Sequence, residues 1–124
     1  MSDAPATILV VDDDEFTAEL TGMFLEGAGF DVVIALGGMD AMDKLASDPA
    51  IRMVVSDMNM PVIDGIQLFG ELREQGYAQP FVLLTGEDAA PLRAAHPGLD
   101  AVLTKNEELQ ETLQATVATL LART

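Results

Sequence analysis

Five short apolar runs constrain this chain more than any other feature: TILVV at residues 7–11, DVVIA at 31–35, IRMVVS at 51–56, FVLLT at 81–85 and AVLT at 101–104. They are mostly continuous rather than alternating, the pattern of strands covered on both faces. Segments with helical spacing lie between them. Phe16, Leu20, Met23 and Phe24 form one apolar stripe, and Met39, Met42 and Leu45 a second. Ile66, Phe69 and Leu72 form a third; Leu109, Leu113, Val117, Leu120 and Leu121 form the last and cleanest. The weakest predicted helix is EDAAPLRAAH, residues 87–96, with an internal Pro91 and a thin apolar stripe. Five strands alternating with five helices through short connections predict an α/β doubly wound parallel sheet. The 124 residues suit a single domain, and no internal repeat or linker divides them.

In such sheets ligands bind outside the carboxyl ends of the strands. The residues that close each run are therefore the ones to inspect. Asp12 and Asp13 follow the first run, Asp57 the third (VVSDMNMPVIDG, 54–65), Thr85 ends the fourth (FVLLTGED), and Lys105 follows the fifth (AVLTKNEE). The second run ends in LGG and offers nothing ionisable. Each residue has an ordinary structural reading beside the functional one. Aspartates at strand-to-helix turns are good caps, which suits Asp14 and Glu15. Thr85 with Asp88 resembles a capping box, Asp57 could begin an Asx turn, Asp64 could cap the next helix, and Lys105 could be an exposed lysine. Caps alone, however, need not gather acids, a hydroxyl and one ammonium on a single rim.

Composition narrows the chemistry. The formal net charge is −15, from 21 acidic and 6 basic residues, which argues against nucleic acid and against an anionic membrane surface. It suits a cationic ligand or a basic partner patch, although most of the acid is expected to be solvated surface. The absence of cysteine excludes disulfides, thiolate catalysis and Cys-ligated zinc. The single histidine, His96, precedes Pro97 in an expected loop and cannot build a histidine-rich metal site. No apolar run approaches membrane-spanning length and no targeting segment is visible, so a cytoplasmic protein is expected.

Carboxylates about 4–5 Å apart repel by about 3–4 kcal/mol per pair at an effective dielectric near 20. A divalent cation removes that repulsion, and an oxygen-only ligand set describes Mg2+ rather than zinc. Magnesium, an ammonium and a hydroxyl around one carboxylate form a cradle for a transferring phosphoryl group, and the carboxylate can itself be the nucleophile.

These residues resemble the receiver domain of two-component response regulators over about residues 7–122, through ILVVDDDE, VVSDMNMPVIDG, LLTG and VLTK in the family's order. The resemblance implies a flavodoxin-like fold with strand order 2-1-3-4-5. It implies Asp57 as phosphoacceptor for a sensor histidine kinase or histidine phosphotransfer protein. Mg2+ would be held by Asp13 and Asp57 directly, by Asp12 through water, and by the backbone carbonyl of Asn59. Lys105 would pair with the phosphoryl oxygens and Thr85 would hydrogen-bond the phosphoryl group. Asn59 and Glu87 resemble positions of the stand-alone chemotaxis regulators that tune phosphoryl lifetime. The second half departs from the family: Lys105 is followed by Asn106 instead of proline with a cis bond, Gly86 stands where alanine is common, and Val102 occupies the aromatic switch position. The segment from Thr85 to Lys105 is also a residue or two short.

The expectation is a single-domain receiver without an output domain, monomeric, serving as response regulator or phosphorelay intermediate. It is not a turnover enzyme, and it catalyses only its own phosphorylation and dephosphorylation. One alternative is a receiver-fold module that signals without phosphorylation. Another is a Mg2+ phosphatase of the haloacid-dehalogenase type, which begins with Asp-x-Asp but needs an acidic motif at a further strand end. Beyond Lys105 only the helical NEELQETLQATVATLLART remains.

Overall fold

The computed structural model describes residues 5–123. Five strands, β1 (Thr7–Val11), β2 (Asp31–Ala35), β3 (Ile51–Asp57), β4 (Phe81–Thr85) and β5 (Ala101–Thr104), alternate with five helices. The helices are α1 (Glu15–Gly27), α2 (Gly38–Ser47), α3 (Gly65–Glu74), α4 (Ala89–Ala95) and α5 (Leu109–Ala122). All strand pairings are parallel and the order is β2-β1-β3-β4-β5, the flavodoxin-like arrangement. The apolar runs mark the strands as read, except that β3 runs one residue further and ends in Asp57 itself.

Strand alternation divides the core into two layers. Leu9, Val11, Val54, Phe81, Leu83 and Val102 face one side, where Ala41 and Leu45 of α2, Leu68 and Leu72 of α3 and Ala89 of α4 cover them. Ile8, Val10, Met53, Val55, Val82 and Leu84 face the other, beneath Ala18 and Leu25 of α1 and Leu109, Leu113, Val117 and Leu120 of α5. Both faces of the central strands are thus buried, which is why their sequences read as unbroken apolar runs.

One apolar stripe turns mostly outward, with only its Phe24 packed against the core. On α1 the buried residues are Ala18, Thr21, Gly22 and Leu25, whereas Phe16 and Met23 are 75% and 63% exposed. Close approach decides this: a Cβ at Gly22 would stand 3.2 Å from Val32 Cγ1 on β2, so α1 lies against the sheet on its small residues. The stripe on α5 is buried as read, and that on α2 only in part, with Leu45 inside and Met39 61% exposed. The weak helix α4 is confined to seven residues. Pro91 is tolerated there because it lies in the first turn, where backbone N–H groups have no intrahelical partner.

Candidate functional site

Neighbouring strands β1, β3, β4 and β5 carry Asp12, Asp57, Thr85 and Lys105 to one rim of the sheet. Asp12 and Asp57 are buried, 5% and 7% exposed, and Asp13 is exposed. One carboxylate oxygen from each of the three lies within 4.8 Å of the other two. Lys105 Nζ stands 2.5 Å from Asp57 Oδ1 and 4.0 Å from Asp12 Oδ2. Burial pushes the Asp12 carboxyl above its ordinary pKa, and the charges of Asp57 and Asp13 add to the push. A hydrogen bond donated by the Asp14 N–H, 2.9 Å from Asp12 Oδ1, and the Lys105 ammonium act against it.

The acids that follow the pair do different work. Asp14 is the N-cap of α1 and accepts from the N–H groups of Phe16 (3.0 Å) and Thr17 (3.2 Å), while Glu15 occupies the first turn. Both favour the helix N-terminus for ordinary reasons. The run of four acids therefore divides between a site and a cap.

The backbone of Asp57 is fixed from several directions. The buried Ser56 hydroxyl donates to the Asp57 carbonyl at 2.9 Å, and the Met58 N–H donates to Leu84 O at 2.8 Å. The Gly65 N–H donates to Met58 O at 2.8 Å. A Cβ at Gly65 would fall 2.6 Å from the Asp57 carbonyl oxygen and against Leu83 Cδ1, so the loop can close only on glycine. Asp64 then starts α3 through a reciprocal capping box with Gln67, each bond 2.8 Å long. The sequence names Asp64 and Gly65 as part of a motif; the geometry gives the reason for both.

Thr85 is not a helix cap. It is the last residue of β4, 1% exposed, and its hydroxyl accepts from the Glu87 N–H at 3.1 Å. The cap of α4 is Asp88, which accepts from the Ala90 N–H. The Thr85 carbonyl accepts from the Lys105 N–H at 2.7 Å, joining the two strand ends. Nor is Lys105 a free surface lysine, because its ammonium is engaged by Asp57.

Among the remaining positions, Asn59 is exposed in the loop after β3, and Glu87 is exposed in the loop after β4. Val102 is buried in the core at 1% exposure, away from the rim. No peptide bond among the described residues is cis, so the family's cis linkage after the lysine has no counterpart at Asn106. Asn106 instead builds the turn into α5: its side chain accepts from the Glu108 N–H at 3.0 Å and its carbonyl from the Leu109 N–H at 3.1 Å. Two hydroxyls at the rim lie inside the quoted motifs, but their sequence positions assign them no role. They belong to Ser56 and Thr104, each identifiable only as the last polar side chain of an apolar run.

Three carboxylates, an ammonium and a buried hydroxyl on one rim make a site suited to a divalent cation and a phosphoryl group. The chain belongs to the response regulator receiver domain family, which it matches over residues 8–117. Receiver domains are the phosphoacceptor modules of two-component signalling. Response regulator MprA of Mycolicibacterium vanbaalenii is 38% identical over 122 residues, which cover 97% of this chain and 52% of that protein. The transcriptional regulatory protein GlrR of Escherichia coli is 32% identical over 117 residues, covering 93% of this chain and 26% of that protein. The chain thus spans about a half and about a quarter of the lengths of these curated relatives. Among solved structures, the chemotaxis protein CheY4 of Vibrio cholerae superposes with a TM-score of 0.81 at 28% identity, covering 94% of this chain and 99% of that one. TrrA of Thermotoga maritima, solved in complex with Mg2+ and BeF, gives a TM-score of 0.81 at 29% identity, covering 92% and 97%. None of the described helices is long and apolar enough to cross a membrane.

Proposed function

We propose that Asp57 accepts a phosphoryl group from the phosphohistidine of a sensor kinase or phosphotransfer protein, and that the chain acts as a response regulator or phosphorelay intermediate. The observation that carries this reading is the Lys105 ammonium 2.5 Å from Asp57 Oδ1, beside two further carboxylates within 4.8 Å. In the transfer, an Asp57 oxygen attacks phosphorus, the P–O bond forms and the P–N bond breaks. The imidazole leaves with the electron pair and takes up a proton. Lys105 holds the acceptor carboxylate and then faces the oxygens of the incoming group.

The donor set fits Mg2+: hard oxygen ligands, clustered closely enough to need a cation. Asp13 and Asp57 would hold it directly, Asp12 through water, with the Asn59 carbonyl completing the set. Bound there, it would supply charge neutralisation for the carboxylates and the phosphoryl oxygens. Thr85, buried at the rim, would donate its hydroxyl to the phosphoryl group, and the side chains of Asn59 and Glu87 would set how readily water removes it.

For the partner, the fit comes from the surface next to the rim. A groove of about 300 Å3 runs between α1 and the turn after β5, and Lys105, Leu20 and Phe24 line it. Phe16, Leu20 and Met23 form an exposed apolar row on α1 beside it. A helix carrying the phosphohistidine would cover that row as it delivers the group.

Incubation with Mg2+ and acetyl phosphate, followed by intact mass measurement, tests the reading. It requires a labile phosphoryl adduct that Asp57→Asn abolishes. No adduct, or one that survives Asp57→Asn, refutes it. Repeated turnover of a phosphomonoester would instead favour a phosphatase.

A further inference from the structure

Glu87, in the loop between β4 and α4, has both of its peptide groups held by threonine hydroxyls. Its N–H donates to Thr85 Oγ1 at 3.1 Å, and its carbonyl accepts from Thr104 Oγ1 at 3.2 Å. Thr104 Oγ1 in turn accepts from the N–H of Ala89, the first residue of α4, at 3.2 Å. A continuous hydrogen-bonded path therefore runs from the Thr85 hydroxyl through the Glu87 peptide groups and the Thr104 hydroxyl to the start of α4.

Thr104 is also the residue before Lys105, whose ammonium is paired with Asp57 and whose N–H is bonded to Thr85 O. Movement of Thr85 or of Lys105 toward a phosphoryl group thus reaches Thr104 by two routes, one through hydrogen bonds and one through the chain. The side chain three residues before Lys105, Val102, is small and buried in the core, and a valine methyl cannot swing between an inside and an outside position as a ring can. Its carbonyl is instead occupied by Arg93 of α4, whose Nη2 donates to it at 2.9 Å. Besides the apolar cover that Ala89 and Leu92 give this face, two polar links join α4 to β5: one hydroxyl at the helix start and one guanidinium further along it.

We infer that Thr104 is a positioning residue that couples the phosphoryl site to α4, through the bonds its hydroxyl makes to Glu87 and Ala89. This rests on the reading of Asp57 as phosphoacceptor. A hydroxyl that both donates and accepts is required, so serine can serve and valine, of the same shape, cannot.

The test uses wild type, Thr104→Val and Thr104→Ser, each treated with Mg2+ and acetyl phosphate, with intact mass and amide NMR spectra recorded on the same samples. The expected result is an adduct on all three proteins. Phosphorylation should shift the Ala89–Ala95 amides in wild type and Thr104→Ser, and those shifts should be lost in Thr104→Val while shifts next to Asp57 persist. Full α4 shifts in Thr104→Val, or none in wild type, overturn the role of Thr104 while leaving Asp57 as acceptor. An untreated Thr104→Val spectrum that keeps the β1–β4 resonances shows that the fold is intact; loss of α4 shifts in Thr104→Ser, with its hydroxyl present, also overturns the inference. Absence of an adduct in wild type is a different failure, which removes the phosphoacceptor reading and the coupling with it.

Discussion

Lys105 Nζ reaches Asp57 Oδ1 at 2.5 Å although Asp57 closes β3 and Lys105 follows β5, strands that are not neighbours: β4 lies between them. The ammonium therefore reaches across the end of β4, the strand that Thr85 closes. The same ammonium lies 4.0 Å from Asp12, the more distant of its two carboxylate partners. In a chain with only 6 basic residues against 21 acids, the placement of one here is an expenditure of scarce positive charge on the acceptor.

Lys105→Met removes that charge while keeping most of the stem. Phosphorylation by acetyl phosphate should slow by about 10²-fold, the order seen when one group stabilising developing charge is lost. Time-resolved mass measurement gives the rate. An unchanged rate would mean that Lys105 takes no part in the transfer.

Asp12 makes a prediction of the opposite sign for stability. Its folded-state pKa is raised, chiefly by burial, so the unfolded chain releases this proton at lower pH than the folded one. Its contribution to stability is full below the ordinary aspartate value and is lost as pH rises through the raised value. Without Mg2+, Asp12→Asn should therefore have a higher Tm than wild type at neutral pH, and the difference should shrink on acidification. With Mg2+ the order reverses. A cation at 100 times its Kd stabilises by about 2.7 kcal/mol, and the variant should lose much of that gain. Thermal unfolding from pH 4 to 8, with and without Mg2+, reads both effects.

How much of this was legible in the sequence follows from what each feature depends on. The central strands β1, β3 and β4, buried on both faces, leave an unbroken apolar signature, and the half-buried edge strands β2 and β5 keep enough of it to be read as well; the rule that ligands gather at their carboxyl ends led directly to Asp12, Asp57, Thr85 and Lys105. The role of Thr85 was ambiguous, because a threonine at a strand end three residues before an aspartate also reads as a cap, until Asp88 is seen to cap α4 itself. Thr104 and Ser56 were invisible, since hydroxyl bonds to distant backbone depend on tertiary register and leave no local pattern. The α1 stripe misled for a related reason. Periodicity finds an apolar face, but whether that face or the small-residue face meets the sheet is set by how closely helix and strand must approach.

That reversal on α1 is measurable. Phe16→Ala and Met23→Ala remove large side chains that are already exposed, so each should change stability by no more than about 0.5 kcal/mol. Leu25→Ala, at a fully buried position on the same helix, should cost about 2–5 kcal/mol. Denaturant unfolding separates the two classes. The surface variants should instead slow phosphotransfer from a cognate histidine protein while leaving phosphorylation by acetyl phosphate unchanged, because only the former needs the α1 row.

The loop after Asp57 stores strain that a single substitution should release. Val62 has φ 72°, the only positive φ at a residue other than glycine among those described, and its side chain is 88% exposed. A β-branched residue in the left-handed region is a genuine outlier and costs on the order of 1–3 kcal/mol. Its exposure means that almost no burial offsets the cost. Asparagine tolerates this backbone region, and unlike glycine it does not widen the conformational freedom of the unfolded chain. Val62→Asn should therefore stabilise the protein by about 1 kcal/mol, and Val62→Gly by less. For a domain of this size that is a rise in Tm of about 4 °C. A fall in Tm for Val62→Asn would show that the valine methyls contribute packing that outweighs the backbone strain. If Val62→Asn is more stable yet accepts phosphate from a histidine partner more slowly than wild type does, with the acetyl phosphate rate unchanged, the exposed valine serves docking beside Asp57, with Leu36, Met39 and Pro61 exposed in the same surface hollow.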